Sequence, residues 1–129
     1  MSHYIDAIVT PVPRGNLDTY KRVSAEWGNA YVRRGALYYS DSISDDVQPG
    51  KVTSFPQALQ LKDDEVIALA WVVYPSKEDR DRISKEVMED PELTASMDPS
   101  KMPFDGKRMF WGGFETIIGI AAEHQGAAG

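Results

Sequence analysis

A chain of 129 residues and 14.4 kDa has room for one domain, and its 42% hydrophobic content is enough for a core. A net charge of -6, from 14 basic against 20 acidic residues, argues against nucleic acid, whose binders carry a basic patch. The lack of cysteine excludes disulfides, thiolate metal sites and cysteine nucleophiles. No apolar run approaches the ~20 residues of a membrane helix. Met1–Asp6 has no basic segment leading into an apolar one, so no secretory signal is expected. The expectation is a cytoplasmic protein without a membrane partner.

Residues 3–10 are rich in strand formers and predict a first strand, ended by Pro11-Val-Pro13 because proline removes ladder donors. Asn16 reads as a helix N-cap with Asp18 in the first turn. Leu17, Tyr20, Val23, Trp27 and Tyr31 then recur three and four apart, one apolar helix face, and Gly35 suits the C-terminal cap. Residues 36–43 predict a second strand, and Gln48-Pro-Gly-Lys51 a turn. Residues 52–62 are ambiguous and leave room for one helical turn after Pro56. Glu65–Tyr74 is nearly all apolar and predicts a strand buried on both faces, which needs two covering layers. Ser76 with Asp79 is a capping-box variant opening a second helix, with Ile83 and Val87 as its thin apolar stripe. Asp90-Pro91 starts a short helix that Asp98-Pro99 closes. A turn at Phe104-Asp-Gly106 leads into a last strand from Lys107 to about Ile118. Residues 121–129 lack periodicity, so residues 1–118 are expected as one domain and 119–129 as a disordered tail.

The order β-α-β-β-α-β predicts an α+β fold of ferredoxin-like type, one antiparallel sheet with its helices on one face. The other face needs a cover, and Trp71, Phe110, Trp111 and Phe114 are too much aromatic surface to leave in water. A second copy of the same sheet is the economical solution, so a homodimer is expected.

Several separate stretches also carry a family resemblance: Pro11-Val-Pro13, Gly50-Lys-Val-Thr-Ser-Phe-Pro56, Tyr74-Pro-Ser76, Val87-Met88 with Asp90-Pro91, and Met102-Pro-Phe-Asp-Gly-Lys-Arg-Met109 with Gly112-Gly-Phe-Glu115. In order and spacing they resemble the DUF1428 family, small bacterial proteins of unknown function, over about residues 4–118. That family resembles the dimeric α+β barrel group, whose domains pair through their sheets. The resemblance implies the same fold and dimer, and brings no catalytic residues with it.

Five residues stand out as candidate ligand-binding positions: Asp6, Tyr39, Trp71, Arg108 and Trp111. Asp6 is a carboxylate among strand hydrophobes and needs a partner, since an unpaired buried charge is costly. Alternation puts Tyr4, Asp6 and Ile8 on one face and His3, Ile5, Ala7 and Val9 on the other. The second set suits packing under helices, which sends Asp6 into a barrel between two sheets. There it could serve as a general base; a structural pair with Arg108, or a backbone cap, is the favoured alternative. Tyr39, Trp71 and Trp111, with Tyr38 and Phe110, could line a pocket for a planar or apolar ligand, the alternative being core and dimer contact. Asp105-Gly106-Lys107-Arg108 could hold an anion, with a solvated turn as the more ordinary reading.

The acidic runs lack the spacing of a calcium loop, and His3 and His124 make no zinc pattern. Gly112-Gly113 lacks the spacing of a phosphate loop and predicts a bulge or a close strand crossing. No nucleophile elbow is present. The sequence therefore calls for no metal and no cofactor. It supports a homodimer holding a small apolar or aromatic molecule in the barrel. A cofactor-independent monooxygenase, suggested only by fold analogy, and a purely structural dimer are the alternatives.

Overall fold

The computed structural model describes residues 3–98 and 100–122. Four strands, β1 (Tyr4–Pro13), β2 (Tyr38–Ile43), β3 (Glu65–Tyr74) and β4 (Phe110–Glu115), form one antiparallel sheet in the order β2-β3-β1-β4. The helices are α1 (Leu17–Arg33), α2 (Phe55–Leu59), α3 (Lys77–Met88) and α4 (Pro91–Ala95), with a 3-10 turn at Arg14–Asn16 ahead of α1. With α2 and α4 as short additions, the order is βαββαβ, consistent with the expected ferredoxin-like α+β fold.

The local signals behave as their chemistry dictates. Ser76 accepts from the Asp79 amide at 3.1 Å and donates to its carboxylate at 2.9 Å. Asp90 accepts from the Glu92 amide at 2.9 Å. Gly35 takes φ +118°, a backbone region closed to most side chains. Asn16 makes no side-chain cap; its Nδ2 donates instead to the Pro103 carbonyl at 3.0 Å.

Several expectations about strands change. β1 runs through Pro11 and Pro13 because β4 pairs it only as far as Val9↔Phe110. Beyond that point one edge of β1 has no ladder, and proline costs nothing there. β2 starts at Tyr38, and β4 covers only Phe110–Glu115. β4 also carries no bulge: Asp6↔Gly113 and Ala7↔Gly112 pair one to one.

The last change concerns the faces. Asp6 pairs Val72 and Gly113, and Tyr39 pairs Val72, so these side chains share a face. That face is the helix side, where Val72, Tyr74, Ile83, Val87 and Ala30 form one core cluster and Val12, Tyr20, Val66 and Ala68 a second. Asp6 therefore points under the helices, not into an inter-sheet barrel.

The opposite face is open. Its three rows across β2-β3-β1-β4 read Tyr38–Val73–Ile5–Phe114, Ser40–Trp71–Ala7–Gly112 and Ser42–Leu69–Val9–Phe110. The sequence predicted β3 covered on both sides; within one chain, cover reaches Glu65 and Ile67 only, and Trp71 stands 38% exposed. Residues 116–122 follow β4 without regular structure. The rest of the expected tail, residues 123–129, lies outside the described residues.

Candidate functional site

Two polar centres sit between the sheet and the helices. The first is built on Asp6, 4% exposed in the middle of β1. Arg80 reaches it from the first turns of α3. Its Nε donates to both carboxylate oxygens, at 3.1 and 3.3 Å, and its Nη2 lies 3.0 Å from Oδ1. The Tyr74 hydroxyl donates to Oδ2 at 2.9 Å. Arg80 Nη1 turns outward to Asp81 at 2.9 Å.

The guanidinium also stacks. Its carbon lies 5.3 Å from the Tyr4 ring centroid and 5.9 Å from that of Trp111. Gly113 makes this possible: a Cβ there would fall 2.6 Å from both Arg80 Nη2 and the Tyr4 hydroxyl. Arg80 is held protonated by the Asp6 hydrogen bond, against a smaller opposing effect of burial. Burial first, then the Asp6 charge, drives the Tyr74 hydroxyl well above its ordinary range. All of Asp6's acceptor strength is thus directed at Arg80 and Tyr74, so the geometry does not support it as a base for a substrate proton.

The second centre is Asp41 on the edge strand β2. Its Oδ2 accepts from Tyr20 Oη at 2.6 Å and from Ser24 Oγ at 2.6 Å, both on α1. Ser24 spends its one proton there, so the 2.7 Å contact with Tyr39 has Tyr39 as donor. Two hydroxyl protons therefore converge on one oxygen, and the Tyr39 hydroxyl joins the chain through Ser24. The other oxygen, Oδ1, is buried and has no hydrogen-bond partner among the described residues. Tyr39 fits beneath α1 only because position 28 is glycine, where a Cβ would lie 2.4 Å from the ring. Burial first, with the Asp41 charge adding to it, pushes the Tyr39 hydroxyl to about 12.

Stacked rings join the two centres. Tyr31 lies parallel to Tyr39 at 6.2 Å and edge-on to Tyr74 at 6.4 Å. A cleft of about 310 Å³ opens beside Asp41, lined by Tyr20, Lys21, Ser24, Tyr39 and Ile43 among others. Among the described residues no group of three His, Asp or Glu side chains is placed to share a metal ion.

The five candidate positions are therefore dispersed. Asp6 and Trp111 meet through Arg80. Tyr39 belongs to the Asp41 cleft. Trp71 is on the open face. Arg108 does not pair with Asp6; it bonds Glu65, and its Nη2 donates to the carbonyls of Leu59 and Gln60 at 3.1 and 2.9 Å. It pins the α2 segment across the start of β3. Burial alone would raise the Glu65 carboxyl, but Arg108 and the Lys62 amide outweigh it and hold it below its usual range. The glycine corner beside Arg108 is also occupied, since the Lys107 amide donates to Asp105 Oδ1 at 2.9 Å.

Sequence reasoning missed Arg80, although a signal was present. Positions 80, 83 and 87 share one helical face, so Arg80 lies on the stripe of Ile83 and Val87 and had to point inward.

A four-stranded antiparallel sheet with α1 and α3 on one face and aromatic residues open on the other defines a small α+β protein of the kind the motifs implied. The profile described as "Protein of unknown function (DUF1428)" matches residues 3–106, and the chain belongs to that family. It is 39% identical over 115 residues to the uncharacterized protein YbaA of Escherichia coli strain K12, covering 89% of this chain and 97% of that one. The YbaA of Shigella flexneri matches with the same figures. Among solved structures, the de novo designed protein Foldit4 aligns over 92% of this chain and 99% of its own at a TM-score of 0.43 and 11% identity, a likeness too slight to carry any argument. No helix among the described residues is long and apolar enough to cross a membrane.

Proposed function

We propose that this is a cytoplasmic homodimer, paired through the open sheet faces, in which each protomer holds a small molecule with an apolar or aromatic body. The observation that carries the reading is the open face itself. Its twelve positions include no charged residue, on a chain of net charge -6. Tyr38, Trp71, Phe110 and Phe114 stand 57, 38, 53 and 57% exposed there. A twelve-position patch without a charge on an acidic protein is fitted to a second copy, because two such patches meet without repulsion and a twofold pairing buries the same patch twice. Ile117, Ile118 and Ile120, 73–90% exposed, extend the apolar surface past β4.

The Asp41 cleft supports the ligand half. It offers two tyrosine rings, Ile43 and the Asp41 carboxylate, whose buried Oδ1 has no donor among the described residues. A buried acceptor without a partner costs roughly 1–3 kcal/mol, and a bound molecule with one N–H or O–H group removes that cost. The ligand thus sits on the helix side of the sheet, and Tyr39 is its one residue among the five candidates.

Sedimentation equilibrium tests the assembly: a species of about 29 kDa, twice the chain mass, is expected at micromolar concentration, and a monomer at 50 µM (roughly 0.7 mg/mL) refutes it. Native mass spectrometry of freshly purified protein, followed by thermal shift against a panel of aromatic amines and phenols, tests the ligand. Binding that Asp41→Asn weakens at least ~10-fold is expected. No adduct and no shift across the panel removes the ligand half.

A further inference from the structure

The open face has a shape as well as a polarity. In its middle row one large ring, Trp71, stands beside Ser40, Ala7 and Gly112. The outer rows carry their rings at the ends, Tyr38 and Phe114 in one and Phe110 in the other. The middle of the face is therefore a knob on β3 next to a hollow on β1 and β4. Gly112 is not required by its own chain. A Cβ there would meet only the Phe114 ring, at 3.8 Å, an ordinary contact. Its neighbour Gly113, on the opposite face, is forced by Arg80 and Tyr4.

We propose that Trp71 of each protomer seats in the partner's hollow, over Ala7 and beside Gly112. The inference rests on the sheet-paired dimer proposed above and specifies its symmetry. Of the in-plane twofold axes through the centre of the grid, one runs along the strands and one across them. The axis along the strands lays β3 over the partner's β1 and β2 over the partner's β4. It brings Trp71 onto Ala7, Ser40 onto Gly112, Val73 onto Ile5, Leu69 onto Val9, Tyr38 onto Phe114 and Ser42 onto Phe110. Large meets small or apolar meets apolar at most positions. The axis across the strands stacks Trp71 on Trp71 and the small residues on each other. Two facing indoles would then stand between sheets that pack about 10 Å apart, with voids beside them. Knob into hollow fills the space; knob against knob does not. Trp71 is thereby the anchor of the interface, a role for which buried tryptophan is enriched.

The test is the dimer dissociation constant of Gly112→Leu and Trp71→Ala, measured by sedimentation with circular dichroism as the check on fold. Filling the hollow with Gly112→Leu is expected to weaken the dimer at least ~100-fold while leaving a folded chain. Trp71→Ala removes the knob without adding bulk and is expected to weaken it at least ~30-fold. The double variant is expected to bind more tightly than the product of the two losses allows, because the new leucine occupies space the indole vacated. If Gly112→Leu disturbs the fold, Trp71→Ala decides alone. A wild-type dimer that neither variant weakens overturns the knob and hollow and leaves sheet pairing standing. A wild-type monomer overturns both.

Discussion

Removing Arg80 should be the most damaging single change on the helix side of the sheet. Asp6 and Arg80 have side-chain exposures of 6 and 17%, so neither can fall back on bulk water. In Arg80→Met the aliphatic stem is kept and the charge is lost. Asp6 then retains only the Tyr74 hydroxyl, inside a cluster of Val72, Ile83 and Val87. An uncompensated buried carboxylate typically costs about 3–5 kcal/mol. For a chain of this length each kcal/mol shifts Tm by roughly 3–5 °C, so a fall of about 10–20 °C is expected. Urea unfolding at pH 7, followed by circular dichroism at one fixed chain concentration, measures the loss directly.

The same reasoning makes a second demand. If the cost comes from the orphaned charge and not from lost packing, removing both charges should return most of it. Asp6→Leu with Arg80→Met, and Tyr74→Phe to spare its hydroxyl, should therefore be markedly more stable than Arg80→Met alone. A coupling of at least ~2 kcal/mol is expected between positions 6 and 80. A loss under ~1 kcal/mol for Arg80→Met, or additive losses in the combined variant, would refute the claim that this pair is a dry, mutually dependent unit.

Gly113→Ala should cost about 1–3 kcal/mol, since its Cβ would fall 2.6 Å from a guanidinium pinned by Asp6, whereas Gly112→Ala should cost under ~1 kcal/mol; equal effects in urea unfolding would break the assignment of Gly113 to Arg80. Alkali should unfold the protein through its buried tyrosines. Burial raises the Tyr31 and Tyr39 hydroxyls to about 12 from an unfolded value of 10. The folded state then holds the protons more tightly, so this stabilisation is intact below pH 10 and is lost as pH rises from 10 to 12, at about 2–3 kcal/mol for each tyrosine. Equal urea midpoints at pH 9 and pH 11.5 would contradict it.

What the sequence disclosed was local. The Ser76 and Asp90 caps, the α1 stripe and the limits of β3 follow from chemistry within one or two turns of chain, and the structure keeps them. What it withheld required knowing which elements meet. Alternation in β1 separates Asp6 from Ile5, Ala7 and Val9 but attaches no direction to either set. The aliphatic set looked like a core set, and it lies on the open face. Arg108 was the nearer candidate partner for Asp6 by composition, yet the turn before β4 presents it to Glu65, on the other side of the sheet. Arg80, 74 positions from Asp6, was reachable only through the helical phase it shares with Ile83 and Val87.

Gly112-Gly113 shows where such reading stops and where the structure itself points outward. Adjacent residues of a strand face opposite ways, so two neighbouring glycines cannot answer to one contact. A bulge would have given them a common cause, and the unbroken register against Asp6 and Ala7 removes it. Gly113 has its reason inside the chain, in the guanidinium and phenol that lie across it. Gly112 has no such reason, since a Cβ there would make only an ordinary contact with the Phe114 ring, and it lies in the same row as a tryptophan that is 38% exposed. A residue with too little side chain and a residue with too much, two strands apart in one uncharged row, suit the twofold pairing proposed above.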